Sequence, residues 1–109
     1  MLVYLAAAYS NVQDKDLFMQ KFMSFSAKYM LENEKEFVVS PLFNHYSFNL
    51  VPEIGTDWNF WEAYSKELLS KCDKILVLKN EDLELSSTGV QAELKFAKEH
   101  NIPVEFVQI

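Results

Sequence analysis

The chain has 109 residues, half of them apolar and 15% aromatic, which suits one packed domain and argues against disorder. Its formal net charge is −6 and all ten basic residues are lysines, so a nucleic-acid backbone or an anionic membrane surface is excluded as a natural partner. The absence of arginine also removes planar, two-pronged recognition of phosphate.

Leu2 to Ala8 is a short apolar run without a preceding basic region, and reads as a buried strand and not as a signal peptide. From Asp14 to about Leu31 the period becomes helical, with Phe18, Phe22, Phe25 and Tyr29 on one stripe that fits plain core. The charged stretch "ENEKE" is a solvated turn, and "FVVSPLF" is a second strand stopped near Pro41. Residues 44–57 form a loop long enough to suggest function. Asp57 is placed to cap a helix of about 14 residues that carries Trp58, Trp61, Leu68, Leu69 and Cys72 on one face. "KILVL" is a third strand buried on both sides, and "KNEDLELSS" a polar connection. Thr88 and Gln91 then match the capping-box spacing of a last helix, which Asn101 and Pro103 end before the strand "PVEFVQI".

The order β-α-β-α-β-α-β predicts one α/β domain over residues 1–109. Its expected architecture is a flavodoxin- or Rossmann-like three-layer sandwich, with a four-stranded parallel sheet in order 2-1-3-4 and helices on both faces. Ligands of such sheets bind beyond the carboxyl ends of the strands, where the loops 7–13, 40–57 and 79–89 fall. No run is long enough to span a bilayer. The lone Cys72 excludes an internal disulfide and fits a reducing cytoplasm. One histidine in the long loop has no partner at ligand spacing, so no metal is expected, and two glycines in the whole chain leave no room for a phosphate or dinucleotide fingerprint. No cofactor is expected.

Two residues break the pattern. On a wheel of the last helix, Phe96, Ala97, Val90 and Leu94 span an arc of about 160°, and Glu93 falls inside it. Helix amides favour its ionised form and desolvation opposes it, which suits a nucleophile at a crevice mouth; the plain alternative is a rim glutamate that reaches solvent. Ser65 repeats the anomaly on the preceding helix, where a hydroxyl commonly bonds back to its own backbone. Ser87, Thr88 and Gly89 open the last helix as a potential anion site, or as a simple cap.

In combination, "VYLAAAYS" at 3–10, "SPLFNHYS" at 40–47, "DWNFWEAYSKELLSKCDKILVL" at 57–78 and "SSTGVQAELKFAKEHNIPV" at 86–104 resemble the nucleoside 2-deoxyribosyltransferase-like superfamily, and most closely a short bacterial and phage branch of it. The resemblance covers nearly the whole chain. It implies a flavodoxin-like fold, a homodimer or larger homo-oligomer, and cleavage or transfer of the N-glycosidic bond of a (deoxy)nucleoside or its 5′-monophosphate. Glu93 takes the place of the nucleophile, Tyr4 of the strand tyrosine that lines the site, and Ser87 of the serine that contacts ligand. Tyr9, Ser10, Asn44, His45, Ser65, Thr88 and Gly89 complete the expected binding residues. The family commonly carries an acid/base aspartate eight residues before the Asp of "CD"; here Asp73 is kept and Ser65 stands at the acid position. That leaves His45, Asp57 and Glu62 for proton delivery, unless the leaving group is a nicotinamide-like cation that needs no proton. The alternative function is a module that binds a nucleotide-like metabolite without turning it over. The exposed aromatics expected around Trp58, Phe60, Trp61 and Tyr64 point to a subunit contact on that helix or the first one.

Overall fold

A computed structural model describes residues 1–45, 53 and 58–108. The elements in chain order are β1 (Leu2–Ala6), α1 (Lys15–Glu32), β2 (Phe37–Val39), α2 (Leu42–His45), α3 (Trp58–Ser70), β3 (Lys74–Lys79), α4 (Leu83–Ser86), α5 (Thr88–Glu99) and β4 (Val104–Gln108). The four strands form one all-parallel sheet in the order β2-β1-β3-β4. The register pairs Tyr4 with Val39 on one side and with Ile75 on the other.

Side chains alternate across a strand with period two, and here each face has its own helices. Val3, Leu5, Leu76 and Leu78 pack with Phe18, Met19 and Phe22 of α1. Tyr4, Ala6, Ile75 and Val77 pack on the opposite face with Leu69 of α3 and with Val90 and Ala97 of α5. Each aliphatic side chain fully buried in these layers contributes about 1.5–3 kcal/mol. The chain goes from β1 outward to β2, then returns past β1 to β3. Reversing the direction of a right-handed crossover moves the connecting helix to the other face, which is why α1, joined by Leu42 and Phe43 of the short α2, packs opposite α3 and α5. The order reverses at β1, beyond whose carboxyl end a crevice opens.

Asp14 starts α1 by accepting a hydrogen bond from the Leu17 amide at 3.0 Å. Several boundaries differ from those read in the sequence. The first strand ends at Ala6, and the second at Val39. Ser40 follows, and its hydroxyl accepts from the Leu42 amide at 3.2 Å, turning the chain into the short α2 where a loop was expected. The polar connection after β3 contains α4. Thr88 does not cap α5. Ser87 does, accepting from the Val90 amide at 3.2 Å, while Gln91 donates back to the Glu84 carbonyl at 3.0 Å. The capping role thus sits one residue earlier, because the Ser87 backbone is extended whereas Thr88 is already helical. Asp57, the expected cap of α3, lies outside the described residues.

Candidate functional site

A cavity of about 390 Å³ opens at the carboxyl edge of the sheet, within the range of small-molecule sites. The end of β1 and the residues after it, Leu5 to Ala8, line it, and Ala6, Ala7 and Ala8 cover their backbone with methyl groups alone. Tyr9, Ser10 and Asn11 continue from that strand, and Ser40, Pro41 and Leu42 come from the end of β2. Trp58, Asn59, Trp61 and Ser65 descend along α3, and residues 86–90 with Glu93 come from the start of α5. Three loops and two helices of separate sequence origin meet there because all the strands point the same way.

Glu93 is buried, with 7% of its surface accessible, although it belongs to the lining of the cavity. The Tyr4 hydroxyl donates a hydrogen bond to its Oε2. Burial pushes the Glu93 carboxyl up to about 7, and the Tyr4 hydrogen bond works against that rise. Tyr4 is itself wholly buried, so desolvation and the neighbouring Glu93 charge raise its phenol far above the usual range and keep it a donor. The nearby Ser65 hydroxyl pulls the Tyr4 phenol the other way. Ser65, Tyr4 and Glu93 therefore form one polar cluster across α3, β1 and α5, with the Glu93 carboxylate on the cavity lining.

The other expected site residues separate into three groups. Tyr9, Ser10, Ser87, Thr88 and Gly89 line the cavity with Ser65 and Glu93. Tyr9 packs on Phe18 with ring centroids 6.2 Å apart, and its phenol is raised by burial and then by Asp16. Lys15 lies 5.7 Å from the Tyr9 ring centroid, with its amine 3.4 Å from the Ser10 carbonyl oxygen and 3.2 Å from that of Val12. Tyr4 is not on the cavity surface; it acts from behind Glu93, a correction that follows from its position in the buried middle of β1. Asn44 is exposed and away from the cavity, with its side-chain amide donating to the Tyr64 hydroxyl on α3. The His45 side chain and Asp57 lie outside the described residues. Glu62 pairs with Lys66 at 3.2 Å on the outer face of α3 and does not line the cavity.

Trp58, Trp61 and Asn59 were not among the expected site residues. The two tryptophans read as core and interface because helical spacing identifies a face but not what the face looks onto. Gly89 has a steric reason to be glycine: a Cβ there would stand 3.2 Å from Trp58 Cε3. The indole thus lies against the first turn of α5, at the edge of the cavity. Among the described residues no group of three or more His, Cys, Asp or Glu could hold a metal, and no helix is long and apolar enough to cross a membrane. No family model matches the chain and no curated protein does.

Proposed function

We propose that the cavity binds a nucleoside-like small molecule and that Glu93 attacks its anomeric carbon, cleaving or transferring the N-glycosidic bond. The observation that carries this reading is the environment of Glu93. A carboxylate that is desolvated, held by a single phenol donor and open to a cavity is poised as a nucleophile near neutral pH. In the retaining scheme, one Glu93 oxygen forms an ester to C1′ as the base departs, and water or a second base then resolves it. Tyr4 keeps the second oxygen fixed, leaving the first free to attack. The hydroxyls of Ser87 and Thr88 and the Asn59 amide suit sugar hydroxyls at the rim. The deoxyribosyltransferase-like resemblance of the sequence supports the same assignment.

A binding module that does not turn its ligand over is the second reading, and the hydroxyl of Ser65 in place of an acid favours it. Detection of free base separates the two. Trapping with a slow nucleoside analogue followed by mass spectrometry of the peptide containing Glu93 tests the first directly. An adduct on that residue is expected, and a labelled ligand that is bound and recovered intact would support the module.

The same reading extends to assembly and setting. Phe60 and Tyr64 remain 55% and 43% exposed on α3, the helix that walls the cavity. A second copy of the chain is the proposed cover, which light scattering at micromolar concentration checks by giving a mass above the 12.7 kDa monomer. The free thiol of Cys72 fits a cytoplasmic setting.

A further inference from the structure

The charge lining the cavity is unusually one-sided. Glu93 is its only charged side chain among the described residues, and no lysine lines it. The sequence contains no lysine or arginine between Lys35 and Lys66. The Lys15 amine donates to the carbonyls of Ser10, at 3.4 Å, and Val12, at 3.2 Å. A phosphate brought into this space would meet helix amides and hydroxyls, but it would stand in the same pocket as an ionised carboxylate with no cation between them.

Proton supply is one-sided in the same way. A purine or pyrimidine leaving group departs as an anion unless an acid protonates it. Besides Glu93, which cannot attack and donate in the same step, the described lining offers hydroxyls, amides, two indoles and one phenol. Burial and Asp16 raise that phenol, Tyr9, so it is a poor acid. The two indoles and the Tyr9 ring are suited to something else, the face of a flat organic cation.

We propose that the pocket takes an N-glycoside whose base is already cationic and whose sugar carries no phosphate, a pyridinium nucleoside. This rests on the reading of Glu93 as the nucleophile and specifies its substrate. One Glu93 oxygen bonds to C1′ as the C1′–N bond breaks. The electron pair of that bond passes to the ring nitrogen and cancels its charge, so the base leaves neutral and needs no proton. Water then attacks C1′, the ester bond returns its electrons to Glu93, and the proton lost by that water goes to solvent. One cation thus yields a neutral base, a neutral sugar and one proton. The positive ring also stabilises the ionised form of Glu93 that must attack it.

The test compares release of free base by the full chain from nicotinamide riboside, nicotinamide mononucleotide, inosine, uridine and their 2′-deoxy forms. Nicotinamide riboside is expected to exceed the neutral nucleosides by about 10²-fold or more in kcat/KM, the scale of the missing general acid. It is also expected to exceed its own 5′-monophosphate by about tenfold. Asn59→Lys, which places an amine at the exposed rim, should narrow or reverse the preference over the monophosphate. Ser65→Asp should raise the turnover of inosine relative to that of the pyridinium riboside. Neutral nucleosides or the monophosphate cleaved as fast as nicotinamide riboside, with activity still lost in Glu93→Gln, would overturn the substrate assignment and leave the nucleophile standing. No base from any compound, or equal release by Glu93→Gln, would remove the nucleophile and the substrate assignment together.

Discussion

The two ends of the sheet treat carboxylates in opposite ways. At the amino end, Glu36 meets the Lys74 amine at 2.8 Å and accepts from the Tyr29 hydroxyl at 2.6 Å, which holds its carboxyl below the usual range. Lys74 also approaches Glu105 at 3.7 Å, and Asp73 accepts from the Leu2 amide at 2.7 Å, so α1 and three strands are tied together there. At the carboxyl end, Glu93 has a neutral phenol and, among the described residues, no cation, and burial raises it to about 7. A paired carboxylate at the amino end helps hold the fold. An unpaired one beside a cavity destabilises the fold in the form that chemistry requires, and stability is commonly sacrificed in this way at functional sites.

This contrast predicts opposite pH dependences. Glu36, with a lowered folded pKa, contributes stability above its unfolded value near 4.5, and that contribution is lost as pH falls through the folded value. Glu93, with a raised folded pKa, has the reverse sign. Its neutral form is accommodated below pH 4.5, and stability falls as pH rises from there to about 7, by about 3 kcal/mol in full.

The largest effect expected is that of Glu93→Gln. Base release should drop by at least about 10³-fold, since an amide cannot form the glycosyl ester. The same variant should be more stable than the wild type at pH 8 and equal to it near pH 4, by denaturant titration at both pH values. Equal stability at pH 8 would mean that Glu93 is solvated and would dissolve the contrast between the two ends. Tyr4→Phe comes next. It removes the donor that restrains the rise of Glu93, so the acidic limb of the pH–rate profile should move to higher pH, with a loss of about tenfold at pH 7. An unmoved limb would separate Tyr4 from the chemistry.

At the other end, Lys74→Met should leave kcat/KM unchanged and lower Tm by a few degrees at pH 7, on the order of a partly exposed pair. The difference from wild type should shrink as pH falls through the lowered folded value of Glu36. The smallest effect is that of Gly89→Ala, whose new methyl must displace the Trp58 indole by a few tenths of an ångström. About 1 kcal/mol or less of stability and a few-fold rise in KM are expected, with kcat retained.

A second buried carboxylate shows where reading the sequence runs out. Glu84 is 1% exposed, deeper than Glu93, yet "KNEDLELSS" reads as a polar connection. Its Oε1 accepts from the Asn80 amide at 2.9 Å, closing a turn in which Glu81 and Asp82 both hold left-handed backbone at φ 52° and 61°. Oε2 has no hydrogen-bond partner among the described residues. A four-residue helix has no periodicity to break, so nothing in the spacing marked this glutamate. Glu93 was legible because it interrupts a twelve-residue helix whose apolar arc is otherwise unbroken.

What the sequence by itself determined is therefore the order of elements, the parallel sheet and the anomaly at Glu93. All three follow from periodicity and from the handedness of crossovers, which act over short stretches of chain. Tertiary structure decided which residues meet the anomaly. Tyr4 is 89 positions away from Glu93, and its alternation on β1 told only that it faced inward, not that α5 would lay a carboxylate against its hydroxyl. Trp58 and Trp61 likewise became walls of a cavity instead of plain core, because the chain leaving β1 in the same lining carries three alanines in a row, Ala6 to Ala8. Space of that kind depends on the side chains of several elements at once, and no local pattern encodes it.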